Sequence, residues 1–324
     1  MKLKKYIAVL LLMPIILSSC TLGAVSEQSE KFRIGISQLV EHPALDASKQ
    51  GFIDELKNQG IDVEIINQNA QGDPNNALMI AKKFVKDDVD LIFTIATLTS
   101  QAAKQAINGT DIPLVFTAVT DPVFSQLVTD LNVTDNNITG VVDAAPIKEN
   151  LQLFKELKEN IQTIGIIYNI GESNSEIQVN QTREIAKEMG LQIEAIGIAS
   201  VNDISQAVDT ISKKAEGLYL ITDNMVASSM PLVAKISKEN GLLTVSADGS
   251  HVAEGILISK GISYYEIGKQ SAVIAKQILV DKKSIEEIHV QSSQNLEKKV
   301  NLQTMESLGL SKDSKAFEGA ELLE

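Results

Sequence analysis

The 324-residue chain has no tryptophan, one cysteine, two arginines and three histidines, and aromatic residues make up only 4% of it. Each shortage removes a class of function. A single cysteine, Cys20, allows no internal disulfide and no cysteine-based metal centre. His42, His251 and His289 are far apart, and none stands in an HExxH or comparable ligand spacing, so no metal is expected. Arg33 opens the first strand and Arg183 falls on a surface helix pattern, which excludes a bidentate guanidinium clamp for an anionic ligand. P-loop, GxGxxG and GxSxG motifs are missing, and with no recognisable nucleophile and base pair an extracellular hydrolase is a poor fit. His42 with Asp46 is the one fragment of a triad, and His42-Pro43 reads better as the turn into the first helix. No catalytic residue and no cofactor is expected.

What is present begins with an address. Lys2, Lys4 and Lys5 precede the apolar stretch from Ile7 to Leu17, which is too short to span a bilayer and ends in Leu17-Ser18-Ser19-Cys20. This is the pattern of a secretory signal, and its last four residues resemble a bacterial lipobox, in which the cysteine is lipidated and becomes the first mature residue. Residues 1–19 are therefore expected to be a signal peptide and residues 20–31 a lipidated N-terminus and polar tether. Removing residues 1–19 takes away three lysines and no acid, moving the formal charge from −13 to −16. So acidic a surface argues against nucleic acid and anionic lipid as partners, and leaves the lipid as the membrane contact.

From Phe32 onward, apolar strand runs alternate with helical patterns, which implies parallel βαβ units. Leu91 to Ala106 (LIFTIATLTSQAAKQA) runs from a buried strand through hydroxyls into a helix, and Leu218 to Ser229 (LYLITDNMVASS) repeats that plan. Each is followed one helix later by a strand ending in small polar residues, Pro113 to Pro122 and Leu242 to Ser250. Two halves built alike predict an α/β fold of two Rossmann-like lobes, with parallel sheets whose strand ends face a central cleft. The expected division is residues 32–142 plus about 259–285 in lobe 1, and 143–258 plus about 286–310 in lobe 2. A continuous helix is expected from Met225 to Asn240, and a frayed tail over residues 311–324.

With these segments laid out, the chain resembles the substrate-binding lipoproteins of ABC importers, specifically the tryptophan/tyrosine type with a type I periplasmic-binding-protein fold. The segments that carry the likeness are GISQLVEHPALD (from Gly35), NAQGD (Asn69), VFTAVTDP (Val115), TIGIIYN (Thr163), TDN (Thr222) and ISYYEIG (Ile262). Ser263 departs from it, standing where relatives carry an acid before the tyrosine pair. The resemblance implies a monomeric receptor that closes on an aromatic or other apolar amino acid, of the tryptophan or tyrosine type, and hands it to an ABC permease and its ATPase. A nucleoside or sugar receptor of the same fold is the alternative. Sugar sites favour flat aromatic faces, however, and of the nearest candidates (Phe93, Phe116, Tyr168, Tyr264) the first two read as core. A repressor of this fold would need a DNA-binding helix-turn-helix where the signal stands.

The loops at the strand ends supply the candidate ligand contacts. Lobe 1 offers Gln38, Glu41 and His42 from the first loop, Ala96 and Thr97 from the third, and Thr120 and Asp121 from the fourth. Lobe 2 offers Asn169, Ser173, Asn174 and Ser175, then Asp223, Asn224 and Asp248. Caps and turns explain the same residue types, Asp121-Pro122 and Asp248-Gly249 above all. Without arginine, a zwitterion's carboxylate is expected at the helix start after Leu91–Ile95, on backbone N–H groups and Thr97. Its ammonium is expected on Asp248, ahead of Asp223.

Overall fold

A computed structural model describes residues 31–132, 137–293 and 296–324. The expected signal peptide, Cys20 and the tether up to Glu30 lie outside the described residues. The first lobe is built from β1 (Phe32–Gln38), α1 (Pro43–Asn58), β2 (Val63–Asn69), α2 (Pro74–Lys86), β3 (Leu91–Ile95), α3 (Thr97–Ile107), β4 (Leu114–Val119) and β5 (Ile138–Val142). The second takes α4 (Ile147–Leu157), β6 (Thr163–Asn169), α5 (Ser173–Glu188), β7 (Gln192–Ile198), α6 (Ile204–Ser212), β8 (Gly217–Leu220), α7 (Asn224–Ala227), α8 (Met230–Glu239), β9 (Leu243–Asp248) and β10 (Ile258–Ile262). Then come α9 (Tyr264–Leu279), β11 (Gln291–Ser292), β12 (Leu296–Asn301), α10 (Leu302–Ser307) and β13 (Glu321–Leu323).

Local chemistry sets many of these boundaries. Asp73 accepts hydrogen bonds from the backbone N–H groups of Asn75 and Asn76 while Pro74 occupies the first helical position, so α2 is capped as its sequence suggests. The helix expected over Met225 to Asn240 is two helices. Pro231 lacks an N–H and fits only a first turn, so α7 stops at Ala227 and α8 restarts at Met230.

The strand order is β11-β5-β4-β3-β1-β2 in one sheet and β13-β12-β10-β9-β8-β6-β7 in the other. Among the described residues every pairing is parallel except β10 with β12. Helices cover both faces of each sheet. In lobe 1, α1 and α9 close one core, in which Phe52 stacks on Phe93 at 3.8 Å, and α2 and α3 close the other. This topology corrects the expected lobe boundaries. β10 sits between β9 and β12, so residues 258–262 belong to the second sheet, and the chain returns to lobe 1 only with α9. β11 pairs with β5 and so lies in lobe 1, not lobe 2 as expected for residues 286–310. The tail after Leu310 is ordered: Ala316 and Phe317 are buried in the second core, and β13 adds to β12.

The chain thus passes between the sheets after β5, after β10 and after β11. The second passage is held by a close helix contact. A Cβ on Gly268 of α9 would lie 1.9 Å from the Ser48 carbonyl oxygen, and one on Gly51 of α1 would lie 2.0 Å from that of Tyr265. Only glycine permits these backbones to approach so closely, and the contact fixes Tyr264 at the junction of the lobes.

Candidate functional site

The carboxyl ends of the parallel strands in both sheets converge on one narrow cleft between the lobes, with a free volume of only about 10 Å³. Lobe 1 lines it with His42, Leu45, Ala118, Thr120 and Asp143, together with Tyr264 from the start of α9. Lobe 2 lines it with Asn174, Thr222, Asp223, Asn224, Ala227, Asp248 and His251. The lobes touch directly across it. His42 Nε2 lies 3.4 Å from Asn224 Oδ1, and the hydroxyls of Thr120 and Thr222 are 3.2 Å apart.

The lobe 1 rim carries backbone strain. Ala96 has φ 90° and ψ 158°, a region that is essentially glycine's, and Ala118 has φ 55°. Such residues cost on the order of 1 to 3 kcal/mol each and cluster at ligand sites. Ala96 is also the N-cap of α3 and has no side chain with which to cap it. Neither neighbouring threonine takes over that role. Thr99 Oγ1 donates back to the carbonyls of Ile95 and Ala96, while Thr97 Oγ1 is buried with no partner. The helix start therefore keeps its positive end and a free hydroxyl.

The lobe 2 wall is a carboxylate-centred network. Buried Glu172 accepts from Asn169 Nδ2, Asn174 Nδ2, Asn224 Nδ2 and the backbone N–H groups of Asn224 and Met225. Asp223 accepts from the N–H groups of Asn169 and Val226 and from the Ser175 hydroxyl. Burial first, then the nearby Glu172 charge, pushes the Asp223 carboxyl up. The network orients Asn174 and Asn224 toward the cavity, and Asn174 Oδ1 remains unpartnered.

Between the lobes stand the other titratable groups. Asp143 Oδ2 accepts a 2.6 Å hydrogen bond from the Tyr264 hydroxyl, whereas its Oδ1 is buried without a partner. Burial, and to a lesser degree the Asp248 charge, holds the Asp143 carboxyl above its ordinary range. Both oxygens of Asp248 are engaged by Ser250, one by its N–H at 2.9 Å and one by its hydroxyl at 2.8 Å. Burial lowers both cavity histidines, His42 to about 4. Glu254, beyond Asp248, is pushed up to about 7 by burial and then by the Asp248 charge.

Six of the fourteen candidate contacts line the cavity: His42, Thr120, Asn174, Asp223, Asn224 and Asp248. The other eight do not. Gln38 is buried and bonds Val40 and Asp46, Glu41 is exposed, and Ala96 and Thr97 lie at the α3 start just described. Asp121 accepts from the N–H groups of Val123 and Phe124 and is a turn residue. Asn169 and Ser175 support Glu172 and Asp223, and Ser173 is half-buried with an unpartnered hydroxyl. Ser263 also stays outside the lining, its hydroxyl hydrogen-bonded to Glu297 of β12. Seven lining residues are not among the fourteen, although Tyr264 is one of the aromatic faces weighed for a sugar: Leu45, Ala118, Asp143, Thr222, Ala227, His251 and Tyr264. Thr222 and Tyr264 stood inside quoted segments, and the strand-end rule applied to Val142 would have yielded Asp143.

A family model described as ABC transporter substrate binding protein matches residues 33–320. The chain belongs to that family. Its members are components of transporters that work outside the cytoplasm, not enzymes. Among relatives, the chain is 38% identical over 291 residues to a tyrosine-binding protein of Clostridioides difficile, covering 89% of this chain and 84% of that one. Among solved structures, an ABC domain from Streptococcus pneumoniae in complex with L-Trp superposes with a TM-score of 0.84 at 28% identity, covering 90% of this chain and all of that one (100%). A ligand-free, open substrate-binding protein with adhesive properties from Clostridium difficile is more alike in sequence, at 37%, but less alike in shape, with a TM-score of 0.70 over 90% of this chain and 99% of that one. The direct contacts across the cavity mark the arrangement seen here as closed.

Proposed function

We propose that this family member is an extracytoplasmic lipoprotein, anchored through Cys20, that closes on an aromatic amino acid and delivers it to an ABC permease. One observation carries the ligand reading. The closed cavity is lined by Asp143, Asp223 and Asp248 with no lysine or arginine, and Asp143 Oδ1 has no partner. A buried carboxylate oxygen of that kind calls for a cation, and a ligand ammonium supplies one. The sequence pointed to Asp248 for this role, but each of its oxygens already accepts a hydrogen bond from Ser250 whereas Asp143 Oδ1 accepts none, so Asp143 is the better acceptor. The uncapped start of α3 and Thr97, although outside the cavity lining, are our assignment for the ligand carboxylate, as oriented amides favour an anion without a side-chain cation. Leu45, Ala118, Ala227 and the Tyr264 ring supply the apolar surface for a side chain. The tyrosine-binding relative and the L-Trp complex support the aromatic class.

Calorimetric titration of the chain from Thr21 onward, unfolded and refolded to strip carried-over ligand, tests the reading against tyrosine, tryptophan, leucine, a nucleoside and a hexose. The aromatic amino acids should bind and the nucleoside and hexose should not. Tight binding of either of those two, with none of the amino acids, would refute it.

A further inference from the structure

Amine and carboxylate recognition leave two cavity histidines unexplained. His42 comes from lobe 1 and His251 from lobe 2; they are 7% and 1% exposed, with ring centroids 6.5 Å apart and planes tilted by 53°. Each ring has one nitrogen committed to protein and one buried without a hydrogen-bond partner.

The hydrogens on these rings follow from their neighbours. Asn224 Nδ2 donates to Glu172 Oε2 at 2.5 Å, so the amide oxygen is the atom that faces His42 Nε2. An amide oxygen only accepts, and His42 Nε2 must carry the hydrogen. Burial keeps this imidazole neutral, which leaves Nδ1 with a lone pair and nothing to receive. On His251, Nδ1 lies 2.9 Å from Ser246 Oγ, which already accepts the Asp248 N–H. The Ser246 hydroxyl hydrogen is thus free to go to Nδ1. His251 Nε2 has the Asp248 carboxylate as its neighbour at 3.5 Å, which favours an N–H at that position. The cleft therefore offers an unpaired acceptor from one lobe and, from the other, a donor that makes no hydrogen bond and whose nearest acceptor is the Asp248 carboxylate at 3.5 Å.

We propose that His42 Nδ1 and His251 Nε2 together read a hydroxyl on the ligand's side chain, making the site selective for a phenolic amino acid over one with a bare ring. A hydroxyl donates and accepts, so it satisfies both nitrogens. An indole N–H satisfies His42 alone, and a phenyl ring leaves both desolvated and unpaired. The inference rests on the amino-acid reading of this cleft and narrows it. It also ties selection to closure, because only the closed form brings the two rings onto one group.

The test begins with a ligand series on the refolded, unmodified protein. Tyrosine should bind about 100-fold more tightly than phenylalanine, with tryptophan between them, since each unpaired buried group is worth roughly a factor of ten. O-Methyltyrosine, which has lost the donor hydrogen, should fall at least about tenfold below tyrosine. In His42→Phe the tyrosine-to-phenylalanine ratio should shrink to about 10. Equal binding of tyrosine and phenylalanine by the unmodified protein overturns the inference and leaves the amino-acid reading standing. Equal losses for both ligands in His42→Phe also overturn it. Failure of every amino acid to bind overturns both together.

Discussion

Replacing Asp143 with asparagine removes a charge while keeping the shape of the site. The asparagine oxygen still accepts the Tyr264 hydroxyl, which now bonds Oδ2 at 2.6 Å, so the passage from lobe 1 to lobe 2 retains its tie. What disappears is the ionised partner for an ammonium at the unpartnered Oδ1. Among the residues lining the cavity no lysine or arginine competes for that oxygen, so the ligand would make the full charged hydrogen bond. In a closed, buried site such a bond is worth on the order of 2 to 4 kcal/mol, about 30- to 1000-fold in affinity. The assay is calorimetry with tyrosine and with 3-(4-hydroxyphenyl)propionate, which lacks the amine. Asp143→Asn should weaken tyrosine by that factor and leave the propionate unchanged or tighter.

The ligand-free protein supplies an independent check on the same group. Burial holds the Asp143 carboxyl up, so the folded state keeps a proton that the unfolded chain releases at lower pH. Its contribution to stability therefore falls as pH rises through the folded-state value, opposite to the usual carboxylate, and Asp143→Asn should melt higher at neutral pH. Equal losses for tyrosine and the propionate would refute the assignment. A loss of amine recognition in Asp248→Asn but not in Asp143→Asn would return the ammonium to Asp248.

Buried His42 takes a proton at about 4 instead of 6.5, so its contribution is complete above pH 6.5 and is lost as pH falls toward 4, by up to about 3 kcal/mol; melting curves over that window should show the slope, and His42→Gln should flatten it. Gly268→Ala places a Cβ 1.9 Å from the Ser48 carbonyl oxygen and must push α9 off α1, so it should lower stability by about 1 to 3 kcal/mol in thermal unfolding; an unchanged melting temperature would contradict the contact. Small-angle scattering should show a smaller radius of gyration with saturating tyrosine than after ligand is stripped, and identical curves would count against closure on the ligand. Cys20→Ala should release the protein from cells while the purified protein binds as before, whereas a loss of affinity would give Cys20 a role beyond anchorage.

What the sequence made legible was local. The runs Leu91–Ile95 and Leu114–Val119 are buried throughout and apolar but for Thr94 and Thr117 because both faces of their sheet are covered, and Asp73-Pro74 marks a helix start by its own chemistry. The strand-end rule picked out His42, Asn174, Asn224 and Asp248, which the fold brings to the cavity lining, because it needs only the direction of a strand and the loop that follows. Two misassignments share one cause. β10 and β11 are short, and which sheet each joins depends on partners distant in sequence, Val245 and Val300 for Ile258 and Val141 for Gln291. The same non-local geometry hid the most informative part of the site. Asp143 and Tyr264 begin two separate passages between the lobes, 121 residues apart, and become partners only because Gly51 and Gly268 let α9 settle onto α1. The hydrogen bond they share leaves Asp143 Oδ1 as the free oxygen of the pair, so the atom that best fits a ligand ammonium is selected by a helix contact on the far side of Tyr264. A substitution at Gly268 should accordingly weaken tyrosine as well as the fold, and weaken the amine-free propionate less, although neither glycine lines the cavity.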